Sequence, residues 1–334
     1  MRAEAGLFRL RNSCFVMGLI AALGFAPVSF TMAHAQRAGA SSQAHAAERG
    51  IAPAVTCGSG TNNWTGTAGN NQWTTATNWS SGAVPVSTDK VCIASTVTSA
   101  ITIGILASTN QTIASLDSGA PLALTSGPLT ITGTGTFAGD LTLTGTLTLN
   151  GTSSMTTLEQ SSGTLANSST LTVSGLLTWS GGTQSGTGTT NANGGMALSG
   201  EPFLSGITLN NVGTATWAGT FFLMEDGAIF NNQAGATWNH ENDSEILFEG
   251  GTTPVFNNSG TFEKTGGTTT AGGGVGASIT FNNTGAVTVT AADSGGILFV
   301  SNVGVCGGTC AGYPAKRRSV RVSGPSAGWG TPCG

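Results

Sequence analysis

The sequence predicts an all-β chain wound as a right-handed parallel β-helix, a β-solenoid closed at its N-terminal end by a tryptophan-rich cap. Three observations predict it. A doubled asparagine recurs at Asn210-Asn211, Asn231-Asn232, Asn257-Asn258 and Asn282-Asn283, at spacings of 21, 26 and 25 residues, and Gly213, Gly235, Gly260 and Gly285 follow the four pairs. A period of that length marks a unit that buries its apolar face only against a stacked neighbour. Short segments such as Ile101-Thr102-Ile103, Leu129-Thr130-Ile131, Leu147-Thr148-Leu149 and Leu171-Thr172-Val173 alternate strictly, the pattern of strands with one buried face. Charged residues make up only 8% of the chain, which carries 52 glycines. Such a chain hides its backbone in ladders and meets water through hydroxyls and amides, whereas disordered chains are rich in charge and poor in β-branched residues.

An antiparallel sandwich also alternates, so the stacked reading rests on the repeated corner. In parallel coils equivalent residues lie above one another, where side-chain amides can bond up the stack, and Asn tolerates the left-handed backbone of a tight corner. At about 22 residues per coil, residues 95–303 would form roughly nine coils.

In chain order, residues 1–35 read as an export signal. Arg2, Arg9 and Arg11 precede an apolar run from Cys14 to Phe25, and Ala33-His34-Ala35 is a small-x-small cleavage pattern, with a second at Ala44-His45-Ala46. The run is short and broken at Pro27, which argues against a lasting membrane span. Residues 36–56 are a flexible leader rich in Ala, Ser and Gln. Residues 57–94 form a compact module with Trp64, Trp73 and Trp79, and Cys57 and Cys92 bracket it as a candidate disulfide of an exported protein. Its tryptophans pack as a cap or, alternatively, offer a glycan-contact face. Residues 95–303 carry the solenoid repeats, punctuated by turn glycines such as Gly133, Gly145 and Gly175. Residues 304–334 are a basic tail rich in Cys, Pro and Gly, expected to be irregular.

The run Trp64-Thr65-Gly66, Asn78-Trp79, Gly82, Pro85, Asp89, Val91 and Ile93 resembles the unit that opens many bacterial secreted β-strand-repeat proteins, among them autotransporter-passenger-like and adhesin-like ones. The later Phe-Asn-Asn repeats are similar to coils of the same group, so the resemblance covers residues 60–300. It implies a β-helix displayed outside the cell. The basic tail has none of the amphipathic strands of a membrane barrel, so the resemblance extends only to the passenger-like part.

Several functions are disfavoured. Between Arg49 and Lys316 the only bases are Lys90 and Lys264, which leaves no basic patch for nucleic acid or an anionic membrane. The acids concentrate at Glu225, Asp226, Glu241, Asp243, Glu245 and Glu249, beside His240. Read plainly, this is a solvated loop. Glu241, Asp243 and Glu245 alternate and form a weak Ca²⁺ candidate, with no other cofactor expected, and a glycosidase-like carboxylate pair is the third reading. No arginine lies near the run to serve an elimination, and a lone His beside acids is more often a surface residue than a catalytic one. Gly273-Gly274-Val275-Gly276-Ala277-Ser278 approaches a calcium-binding nonapeptide but has Ser278 where Asp belongs.

The expectation is an exported, extracellular or cell-surface protein, non-catalytic, that contacts glycans or neighbouring or host cell surfaces. A polysaccharide-active hydrolase or lyase is the alternative, and a structural spacer or surface-layer component the second. The asparagine pairs are expected to fix the register of the coils, with their amides bonded to one another.

Overall fold

The computed structural model describes residues 54–104, 110–267, 273–276 and 278–289, together with the backbone strands Ile297–Ser301, Val303–Cys306, Cys310–Gly312 and Ser319–Ser323. The expected export signal, and the expected leader up to residue 53, lie outside the described residues, as do the side chains of the C-terminal strands. Everything described falls within one unit, Glu48–Gly334.

The chain is a β-solenoid. Each coil contributes up to three short strands, and every strand pairs in parallel with its equivalent one coil away, as Thr146–Leu149 does with Pro128–Ile131 below and Thr164–Asn167 above. Among the described residues one row is a 12-stranded sheet from Asn62–Asn63 to Val303–Cys306, and the other two rows form one 20-stranded sheet. Those two rows join because Leu177–Ser185 and Met196–Ser205 run unbroken across both, with a register shift between Trp179 and Gly181.

Coil length varies along the stack. Thr146 lies opposite Thr164, eighteen positions on, whereas Ile229 lies opposite Val255, twenty-six positions on. The expected average of about 22 residues therefore hides short coils of plain Thr/Leu alternation and longer asparagine-bearing coils that carry loops. Among the described residues the only helical turn is Ala76–Asn78.

Alternation sets what is inside. In Thr146–Leu149 the two leucines are buried and the threonines half-exposed, and the same inward-outward order recurs in Thr208–Asn211, Ile229–Asn232, Val255–Asn258 and Thr280–Asn283. Leucines fill the N-terminal coils, while aromatic rings fill the longer ones. Phe230 and Phe256 stack at 4.7 Å, Phe256 and Phe281 lie 5.7 Å apart, and Trp238 meets Phe256 edge-on at 5.4 Å. Identical residues one coil apart place like on like, so flat rings stack without gaps.

The N-terminal module is tied to the first coil. Cys57 and Cys92 are bonded, with Cα atoms 5.6 Å apart. Cys92 lies in Lys90–Ile93, the module's last strand, which pairs with both Asn62–Asn63 and Ser115–Ser118, so the disulfide fastens the start of the module to the strand on which the solenoid stacks. Replacing both cysteines with alanine should cost on the order of 3–4 kcal/mol for a loop of this length. Nearest-neighbour stacking confines that loss to the first coils, and it should appear as early proteolytic cutting before residue 110 while later coils stay protected.

Stacking continues beyond residue 303, where an irregular tail was expected. Cys310–Gly312 pairs with Ala286–Val289, and Ser319–Ser323 with Ile297–Ser301. Ser319-Val320-Arg321-Val322-Ser323 does alternate, but the run is short and set among Lys316, Arg317, Arg318, Pro314 and Pro325, whose charge and turn-forming character hid its period.

Candidate functional site

Each asparagine pair divides between the two sides of its strand, giving two amide ladders. The second members point inward. Asn211, Asn232, Asn258 and Asn283 are buried, and Nδ2 of each of the first three donates to Oδ1 of the next at 2.9, 2.7 and 2.7 Å. The remaining N–H of each donates to a backbone carbonyl of the following coil: Asn211 to Thr237 O at 3.0 Å, Asn232 to Thr261 O at 2.9 Å and Asn258 to Ala286 O at 3.0 Å. This inner ladder closes the turn between two strand rows and fixes register, as the sequence implied.

The first members form a second ladder on the outer surface, running the other way. Asn210 donates to Asn191 Oδ1 at 2.7 Å, Asn231 to Asn210 at 2.8 Å, Asn257 to Asn231 at 2.7 Å and Asn282 to Asn257 at 2.9 Å. These residues are half-exposed and each spends only one of its two N–H donors on the ladder bond. Below Asn191 the same outward position holds Thr172, Ser154 and Thr136, and the exposed Asp117 beneath Thr136 ends the uncharged stretch. The result is an uncharged column of hydroxyls and amides rising coil by coil on one face. Asn191 lacks a doubled partner, because Ala192 takes the inward place, and so was missed as the first rung. Asn211 Oδ1 is accordingly buried without a partner at the base of the inner ladder.

The tryptophans of the cap are packing residues. Trp73 and Trp79 are buried and Trp64 nearly so; Trp79 meets Trp64 at 5.0 Å and Trp73 at 4.7 Å, both edge-on, and donates from Nε1 to Trp73 O at 2.8 Å. A sugar stacks on an open ring face, and these rings face one another instead. The burial favours the cap over the glycan-contact reading of Trp64, Trp73 and Trp79.

The acidic run is only partly a solvated loop. Glu241 is exposed and accepts from Asn239 Nδ2 at 2.9 Å, but residues 242–244 fold back over the core. Beneath them His240 and Lys264, register partners on adjacent coils, occupy the inward column that holds Trp217 one coil earlier. Both are fully buried. The expectation of a surface histidine is thus corrected. In Thr237–His240 and Thr261–Lys264 alternation gives His240 the inward side of Trp238 and Lys264 that of Phe262.

His240 accepts at Nδ1 from Trp238 Nε1 at 3.4 Å and donates from Nε2 to Ser244 O at 2.9 Å, and its ring stacks near Phe262. Burial, reinforced by the nearby Lys264 cation, pushes its pKa down to about 3. With both nitrogens engaged inside the core, it has no edge to offer a substrate. Lys264 Nζ donates to Asp243 Oδ1 at 3.2 Å, to Gly266 O at 2.9 Å and to Asn242 O. Burial lowers its pKa from the usual lysine value, and the Asp243 carboxylate opposes the shift. Sequence spacing had set Lys264 apart from the acidic run; coil stacking brings it to Asp243.

Of the calcium candidates, Asp243 therefore turns to Lys264, Glu241 faces outward and Glu245 begins the strand Glu245–Gly250. Among the described residues no three His, Cys, Asp or Glu side chains gather as a metal group. No described helix is long and apolar enough to cross a membrane. Comparison with family models, with curated proteins and with solved structures returned no match.

Proposed function

We propose that this is an exported, non-catalytic protein of the cell surface or extracellular space whose outward column of hydroxyls and amides contacts glycans or the surfaces of neighbouring cells. One observation carries the reading. From Thr136 through Ser154, Thr172, Asn191 and Asn210 to Asn282 the column is uncharged and in register, and its asparagines keep donors beyond those used in the ladder. Many weak hydrogen bonds repeated at strand spacing suit a repetitive, polyhydroxylated partner. The autotransporter-passenger-like and adhesin-like resemblance of the sequence agrees with display outside the cell.

The test is binding by the folded protein to a glycan array and to intact cells. Asn231→Ala with Asn257→Ala should weaken retention several-fold at unchanged fold. Failure of the folded wild-type chain to bind any glycan or cell would end the proposal.

A further inference from the structure

The Lys264–Asp243 pair is built like a reactant pair. Lys264 has no exposed side-chain surface, Asp243 is 18% exposed, and Nζ stands 3.2 Å from Oδ1. Lys264 stands in the inward column, with Phe262 two residues before it in the strand and His240 as its register partner one coil below, all three fully buried. Two backbone carbonyls, Gly266 O and Asn242 O, hold Nζ in place. The chain passes over the pair only because it is glycine there: Gly267 sits at φ +104°, and a Cβ on it would overlap Asp243 Oδ1 and stand 2.9 Å from Nζ. A Cβ at Gly266 would overlap Glu241 O, so the chain there lies in backbone contact with the coil below.

Sequestering two opposite charges from water is poorly repaid by their attraction alone, whereas a neutral amide in the same place carries no desolvation penalty of that size. Burial already favours the neutral amine, and fixed proximity turns a bimolecular condensation into an intramolecular one.

We propose that Lys264 and Asp243 join in an intramolecular isopeptide bond that locks two adjacent coils covalently. Transfer of a proton within the pair turns the ammonium and carboxylate into amine and carboxylic acid. The Nζ lone pair attacks Cγ of Asp243, a C–N bond forms, and one Cγ–O bond breaks. The leaving oxygen departs as water, carrying the acid proton and one proton from Nζ. No oxidant, reductant or co-reactant is needed. The partial exposure of Asp243 gives the water a way out, while Lys264 stays sealed. The link would tie the loop after Thr237–His240 to the strand Thr261–Lys264, across the loop-bearing coils. This proposal stands apart from the glycan reading and does not depend on it.

Mass spectrometry of the purified, folded, reduced full chain tests it. The expected result is a mass lower than the sequence mass by one water, after the N-terminus is fixed by peptide mapping, and a branched peptide joining the segment around Asp243 to that around Lys264. Lys264→Met and Asp243→Ala should restore the full mass and abolish the branched peptide, and Gly267→Ala should deplete it. A wild-type chain at full mass without the branched peptide overturns the proposal and leaves an ordinary buried ion pair. Should the variants fail to fold, the wild-type peptide map alone decides.

Discussion

Replacing Asn232 and Asn258 with alanine is expected to destabilise the solenoid far more than replacing their neighbours Asn231 and Asn257. The inner amides are buried, and each serves three groups. Without Asn232, Asn211 Nδ2 loses one acceptor, Asn258 Oδ1 its donor and Thr261 O its side-chain partner. Stranding buried polar groups costs about 1–3 kcal/mol apiece, but Asn211 Nδ2 keeps Gly213 O and Thr237 O as acceptors and Thr261 O loses only a side-chain partner, so each inner substitution should cost about 2–3 kcal/mol. The pair shares the Asn232–Asn258 bond and so should cost less than the sum, roughly 4–5 kcal/mol. On the outer ladder water can replace each lost bond, and the Asn231, Asn257 pair should cost about 1 kcal/mol. Thermal unfolding of the two double variants beside their binding to cells separates the roles. The inner pair should lower the unfolding temperature at little cost to binding per folded molecule, and the outer pair should do the reverse. Equal unfolding temperatures would remove the distinction between the ladders.

That contrast also shows how far the residues alone could lead. Period-two alternation and the recurring pairs were enough for parallel coils, since each is a local consequence of strands stacked at one spacing, and the inward parity of Asn211, Asn232, Asn258 and Asn283 follows from their sharing a side with Leu209, Phe230, Phe256 and Phe281. The division of each pair into two ladders of opposite direction was not legible, because direction depends on which amide edge meets which coil. The Cys57–Cys92 bond was legible from two cysteines bracketing the tryptophan module. The buried cluster was half legible. Parity puts Lys264 inside, but charge argues so strongly for the surface that only the loop from Asn242 to Ser244, which supplies Asn242 O, Asp243 Oδ1 and Ser244 O, explains how the core holds a lysine and a histidine. Loop return is set by tertiary packing and leaves no periodic trace.

His240 should make the protein steeply acid-sensitive well above the pH at which the native imidazole itself takes a proton. Its native pKa is about 3 against 6.5 for the free side chain, with burial the main cause. Between those values the unfolded chain binds a proton that the native state refuses, so stability from this residue is complete above 6.5 and is lost as the pH falls toward 3. At ~1.4 kcal/mol per unit, the full window is on the order of 4–5 kcal/mol, of which roughly 3 kcal/mol falls between neutrality and about pH 4. Carboxylates add their own acid sensitivity, so the informative quantity is a difference. His240→Phe keeps a ring beside Phe262 while giving up the bonds to Trp238 and Ser244 O, and it should be less stable than wild type at neutral pH. Its decline on acidification should nevertheless be shallower by roughly 3 kcal/mol, read from urea unfolding at the two pH values. Parallel declines would mean that the imidazole titrates alike in the folded and unfolded chain, and that the core around Lys264 and Asp243 is open to water.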